Sequence, residues 1–278
     1  MERGDKLIKR LCAILVFVVL CGNPLLAQAD VSREILNITE RVFLNNDSQS
    51  VAGVAKIYQP EFINELYQQS RHQSLWSIKD AGALLGLLRS SEREGLNPSD
   101  YHYNELLALQ AEVGEGWVDP DVLDAQFDVL MSDGLMLYAR HLVEGKIDPR
   151  TLDATWNYDR REYVADDVAS RLIVAASRGE MPDLLNSLKP QSDFYQQMRL
   201  SLSYYRELAD TEQFFLMPPD RVLKPDQSHA NVLLLRRRLK QLSYLSPDSP
   251  ETEYFDAQLA DAVRLFQNDH GIDPDGII

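Results

Sequence analysis

Four times this chain sets a glycine two or three residues ahead of an Asn-Pro or Asp-Pro pair: Gly95-Leu96-Asn97-Pro98, Gly116-Trp117-Val118-Asp119-Pro120, Gly145-Lys146-Ile147-Asp148-Pro149 and Gly271-Ile272-Asp273-Pro274. Glycine ends a helix in the left-handed conformation without a Cβ penalty, and Asx followed by proline is the cap and first-turn pair that starts one. Each combination therefore reads as a tight corner between helices. The spacing is irregular, so the corners are not repeats of a solenoid. Between them, apolar residues recur with helical period over Val31–Leu44, Ala81–Glu94, Val122–Glu144, Asp166–Ser177, Met181–Leu188 and Ser192–Leu208. In the last segment Tyr195, Met198, Leu202 and Tyr205 form one stripe. A short β-branched run at Val51–Gln59 could be strand, but no alternating series exists to build a sheet. The expected fold class is all-α.

The first 29 residues read as a targeting segment. Lys6, Lys9 and Arg10 precede the apolar run Leu11–Cys21, and Ala27-Gln28-Ala29 supplies a small-x-small cleavage site before Asp30. The run is short for a membrane span, which needs roughly 20 apolar residues. Lipidation at Cys21 is the rival reading, and Leu20 is a poor residue to precede a lipidated cysteine. Cys12 and Cys21 both lie inside this segment, so residues 30–278 hold no thiol, no disulfide and no thiolate metal site. The segment also takes four basic and two acidic residues with it, moving the net charge from −15 to −17. Such a charge opposes general affinity for nucleic acid or anionic lipid.

A composition shift at Phe214–Ser228, with three prolines, marks an expected domain boundary. Beyond it, Val232, Leu235, Leu239 and Leu242 make an apolar stripe on a helix from about 230 to 245. Leu259, Ala262, Val263 and Phe266 make another, which Gly271 ends and Asp273-Pro274 follows as a new helix start. Two helices alone bury little surface, so a third is expected to complete the module.

These segments carry a resemblance. Asn231–Leu245, Tyr254–Ile272 and Asp273–Ile278, with the run A-V-x-x-F-Q-x-x-x-G-I-x-x-D-G from Ala262 to Gly276, resemble the three-helix peptidoglycan-binding domain that accompanies many cell-wall enzymes. The likeness covers Leu223–Ile278 and departs from the family in lacking a third helix. The segments Phe62–Ser77, Ala83–Tyr103 and Asp128–Trp156 resemble the helical scaffold domain of the large periplasmic L,D-transpeptidases. The resemblance implies a signal peptide at 1–29, a scaffold domain at 30–213, a proline-containing linker at 214–228 and a peptidoglycan-binding domain at 229–278, truncated before its third helix. It implies an exported, periplasmic, wall-associated protein. Peptidoglycan is the expected partner, other cell-wall synthesis proteins are candidates, and neither nucleic acid nor a stable membrane anchor after signal cleavage is expected. The family's catalytic domain carries a cysteine nucleophile and a histidine in an S-x-G-C type motif, and neither has a counterpart in residues 30–278. Two classes stay open: a truncated or split-frame part of a cross-linking enzyme, and a stand-alone wall-binding or scaffold protein that recruits another enzyme.

No catalytic residue, metal ligand or cofactor emerges from the remaining residues. The carboxylate pairs Glu92/Glu94, Asp119/Asp121 and Asp166/Asp167 read as solvated faces among 43 acidic residues. The histidines His72, His102, His141, His229 and His270 lack metal-ligand spacing. Asp269–Gly276 has a proline inside what would be a calcium loop and no closing acid. Trp76, Trp156, Tyr101, Tyr103 and Tyr138 could stack sugars, although core packing is the better account. In the C-terminal module, Arg238, Tyr244 and Gln267 are the candidate ligand contacts, since each places a polar end near the groove between the helices. That module is expected to be marginal, with one wall of its core open.

Overall fold

The computed structural model describes residues 24–44, 51, 55–157, 159–211, 217–218 and 221–278. Among these the chain is all-α, with no strand or sheet. Val51 and Ala55, in the run read as a possible strand, form one isolated antiparallel bridge and nothing more. Residues 1–23, with the apolar run, lie outside the described residues. The chain divides into two compact units, residues 1–196 and 197–278.

The first unit is built around one long helix. Helix α1 (Pro24–Leu44) presents Val31, Ile35, Ile38 and Val42 as one buried stripe; then come α2 (Pro60–Gln69), α3 (Ala81–Arg89) and α4 (Tyr103–Glu112). Helix α5 (Pro120–Glu144) runs about 37 Å at 1.5 Å per residue. It starts as the sequence demands: Asp119 accepts the Asp121 N–H at 2.9 Å and Pro120 occupies the first turn. Residues 127–136 are buried on every side, which makes α5 the axis of the core rather than a surface helix. Helices α1 to α4 pack around it, and α7 (Met181–Leu188) closes the other side, following α6 (Ala165–Arg178). Gly134 allows the closest approach, because a Cβ there would lie 2.4 Å from the Tyr101 carbonyl oxygen.

Burying the middle of α5 also buries polar residues there, and these, with the half-buried Asp124, hold the loops. Asp124 accepts the Ile78 N–H at 2.7 Å. One turn on, Asp128 accepts the Leu75 N–H at 2.8 Å and the Tyr67 hydroxyl at 2.7 Å. Ser132 takes the Trp76 indole N–H at 2.9 Å. Asp133 accepts the N–H groups of Tyr58 and Gln59 at 2.9 and 3.0 Å, and lies 2.7 Å from His102 Nε2. Loop amides buried away from helix ladders must find acceptors, and this row of side chains provides them. Burial pushes the Asp128 carboxyl up to about 7, against opposing hydrogen bonds from Ser74, Tyr67 and the backbone of Leu75 and Trp76.

Glu94 corrects the solvated-face reading of the carboxylates. Its side chain is 1% exposed and pairs with Lys189 at 2.9 Å while accepting the Tyr195 hydroxyl. Tyr195 lies at the start of α8 (Asp193–Thr211).

The second unit holds α9 (Ala230–Gln241) and α10 (Ala257–Asp269). Its core is more closed than the two stripes alone suggest. Val232, Leu235 and Leu239 from α9 and Leu259 and Val263 from α10 are 3% exposed or less, because Leu223, Leu245 and Phe255 from the connecting segments cover them. The backbone secures those covers: Phe255 N–H donates to Gln227 at 2.8 Å, His229 N–H to Glu253 at 3.0 Å, and Leu223 and Ile278 exchange bonds in both directions. The exposed wall expected from the sequence shrinks to the side where Leu242 and Phe266 stand half-buried.

The four glycine corners end differently. Gly95, Gly116, Gly145 and Gly271 all have positive φ. Asn97, Asp119 and Asp148 then cap the next turn through their side chains, but Asp273-Pro274 starts no helix among the described residues. The Asp273 carbonyl accepts the Asp275 N–H, the Asp275 carboxylate accepts the Ile277 N–H at 2.8 Å, and Gly276 turns to φ +77°. Those bonds close a turn where a helix would need its free N–H groups.

Candidate functional site

Against the edge of that core, α9 and α10 meet in an open cleft of about 530 Å³, within the size range of small-ligand sites. Leu235, Arg238, Leu239 and Leu242 fall at i, i+3, i+4 and i+7, so α9 supplies one wall. Phe266 and His270, one turn apart, give the facing wall from α10. Tyr205, Met217 and Ile278 complete the described lining.

The aromatic groups are locked to one another. His270 stacks on Phe266 with ring centroids 4.1 Å apart, and Tyr244 meets Phe266 edge-on at 5.4 Å. His270 Nδ1 lies 2.8 Å from the Phe266 carbonyl oxygen. A carbonyl only accepts, so Nδ1 carries the proton and Nε2 remains the acceptor of the neutral ring. Ser243, at φ +63°, turns the chain so that the Tyr244 and Leu245 N–H groups both reach the Leu239 carbonyl, at 2.8 and 3.1 Å. Burial raises the Tyr244 phenol above its ordinary range, with the Asp269 carboxylate adding to the effect.

Of the three contacts read from the sequence, Arg238 lines the cleft and Tyr244 supports its aromatic wall from behind. Gln267 does neither. It is 4% exposed, its amide nitrogen donates to Asp275 at 3.0 Å and to the Ile277 carbonyl at 2.9 Å, and its oxygen accepts the Gly276 N–H at 2.8 Å. With both amide atoms bound internally, its structural role is to clamp the turn after α10. The A-V-x-x-F-Q run contained the signal for this: Gln267 stands one residue after an apolar stripe, nine residues before the glycine it holds.

Arg236 was not singled out in the sequence and is fully buried. It donates to the Tyr254 carbonyl at 2.9 Å and pairs with Asp256, which also caps α10 through the Leu259 N–H. Burial alone would raise the Asp256 carboxyl, but the Leu259 N–H and the Arg236 guanidinium outweigh it and hold the group below its usual range. Arg237 and Lys240 are engaged at the module surface by Glu251 and the Ser249 carbonyl.

The remaining candidates fall in the first unit. Trp76, Tyr101 and Tyr138 are buried in its core, and Tyr103 packs against that core half-buried, whereas Trp156 is 45% exposed. Trp117, not singled out from the sequence, is 87% exposed directly after the positive-φ glycines Gly114 and Gly116. Asp121 shares a shallow polar cleft with Asp80 and Asp124, and Asp167 pairs with Arg171. His102 meets Asp133, His141 meets the Tyr101 hydroxyl at 3.0 Å, and His229 caps α9 through the Asn231 N–H.

No curated protein matches the chain. A peptidoglycan binding domain matches residues 228–278, the segment that supplies most of the cleft. The Scaffold domain matches residues 61–202, more than half of the chain and most of the unit built around α5. With its central helix α5, helices α2 to α4, α6 and α7 and the loop-holding carboxylates inside that match, the chain belongs to the Scaffold domain family and carries a peptidoglycan-binding domain after it.

Proposed function

We propose that this chain is the scaffold and wall-binding part of an exported L,D-transpeptidase-type protein, in which residues 229–278 hold peptidoglycan and residues 30–213 form the platform. One observation carries the reading. The open cleft between α9 and α10 falls inside the segment matched by the peptidoglycan binding domain, with seven of its nine described lining residues between 228 and 278. The order of scaffold followed by wall-binding module supports the transpeptidase link. Residues 30–278 contain no cysteine, so they do not themselves perform thiolate acyl transfer. Export rests on the basic-apolar-small pattern of residues 1–29.

Co-sedimentation tests the binding. Chain beginning at Asp30 is expected to pellet with purified sacculi in a saturable manner, and chain that stays in the supernatant at every sacculus concentration contradicts the proposal. Sequencing the N-terminus of the exported protein tests the rest, with Asp30 the expected first residue and a retained Met1 or a lipidated Cys21 the contrary result.

A further inference from the structure

Resting on the reading that residues 229–278 bind peptidoglycan, we infer that the cleft between α9 and α10 recognises the peptide stem of the polymer and not its glycan strand. Arg238 receives a stem carboxylate, and Leu242 and Phe266 receive alanine methyl groups.

Peptidoglycan offers two chemistries. A sugar ring presents several hydroxyl groups, and each one buried without a partner forfeits its hydrogen bonds to water. Sugar sites meet that demand with polar side chains around an aromatic face. This cleft is mostly apolar. Six of its described lining residues, Met217, Leu235, Leu239, Leu242, Phe266 and Ile278, are apolar, and the polar-tipped ones are Tyr205, Arg238 and His270. One face of Phe266 is covered by the His270 ring at 4.1 Å, and Tyr244 stands edge-on to it at 5.4 Å. That face of Phe266 is closed to a pyranose.

A stem peptide has the complementary pattern. It is short and carries alanine methyl groups, backbone amides and carboxylates. Arg238 is the one arginine among the described lining residues, and a guanidinium holds a carboxylate in a two-point fork that few other groups can match. It stands one turn from Leu242 and one turn from Leu235 on the same face of α9, so charge and apolar wall lie within one peptide's reach.

The test uses chain beginning at Asp30 bound to intact sacculi, with two competitors made by digesting sacculi with an amidase that cuts between glycan and peptide: the released stem peptides and the denuded glycan strands. Stem peptides are expected to displace the protein and glycan strands to leave it bound. Arg238→Gln is expected to weaken sacculus binding at least tenfold. Arg238→Lys, which keeps the charge but not the fork, should fall between Arg238→Gln and wild type, with melting temperature unchanged in both. Displacement by glycan strands, by neither pool, or equally by both overturns the inference while leaving wall binding in place. So does an Arg238→Gln protein that binds as tightly as wild type. Failure to bind intact sacculi at all sinks the underlying functional reading instead. Self-association of the chain that Leu242→Glu abolishes, with sacculus binding untouched, would give the cleft to a second copy and also overturn the inference.

Discussion

The first unit buries carboxylates and the second buries a guanidinium. Asp128 and Asp133 are fully enclosed along α5, held by loop N–H groups, a tyrosine hydroxyl and a histidine. Arg236 is as fully enclosed under α9 and is held by one carbonyl and one carboxylate that is itself part-exposed. The difference lies in how each charge is compensated. Asp128 has only neutral donors around its carboxylate and therefore resists ionisation; Asp256, facing a guanidinium, favours it. The two units should consequently answer to pH in opposite senses and to mutation in different places.

The largest effect is expected at the ion pair of the second unit. Asp256→Ala removes the partner of a buried charge and a helix cap together, a loss of about 4 kcal/mol, since breaking a buried pair costs about 3–5 kcal/mol and losing a cap about 1. In a calorimetric scan of the whole chain the transition of residues 197–278 should move or disappear while that of the scaffold stays. Movement of both together would show that the units do not melt independently.

The pH response is next in size. Asp128 titrates at about 7 when folded, against an ordinary value of 3.8, so folding favours its protonated form. Its contribution is complete below about pH 4 and is lost as pH rises through 7, a swing of up to about 4 kcal/mol for a shift of about three units. Asp256 runs the other way: its carboxyl is held low, so its contribution is present above the ordinary carboxylate range and lost on acidification through its folded value. Asp128→Asn cannot ionise and should flatten the decline of the scaffold's melting temperature between pH 4 and 7. A slope as steep as wild type would remove Asp128 as its source.

A smaller loss is expected at the clamp. Gln267→Ala strands the buried Gly276 N–H and frees the turn that ties Ile278 to Leu223, for about 2 kcal/mol. Hydrogen exchange at Gly276 and Leu223 should quicken, and unaltered protection there would mean that the turn holds without the amide.

The sequence announced the architecture better than the site. Helical period and the Gly-Asx-Pro corners located α5, α6, α7 and α8 to within a few residues, because both signals are local, whereas α1 starts at Pro24, well before the Val31 start that the period indicated. At α3 the period ran on correctly to Glu94, but its last five residues tighten into a 3-10 turn. Helices α2 and α4 escaped notice, although Pro60 at the first turn and Phe62, Ile63, Leu66 and Tyr67 on one side of α2 are a readable pattern. The buried polar row on α5 was not readable: Asp128 is made internal by Leu75 and Asp133 by Tyr58, partners 53 and 75 residues away. A glutamine beside an apolar stripe is equally ambiguous. Arg238 and Gln267 both pointed toward the groove by spacing, and only the turn at Gly276 separates the one that lines it from the one that closes the fold.

In the proposed function the cleft of the second unit, and not the scaffold, contacts the wall. The direct measurement is co-sedimentation with intact sacculi of the whole chain carrying Leu242→Glu, set beside Asp128→Asn. Leu242 is half-buried at the cleft and outside the closed core, so the charge should leave the melting temperature within a few degrees of wild type. Binding is predicted to fall at least tenfold in Leu242→Glu and to remain unchanged in Asp128→Asn. Undiminished binding by Leu242→Glu, or an equal loss in both, would contradict the claim.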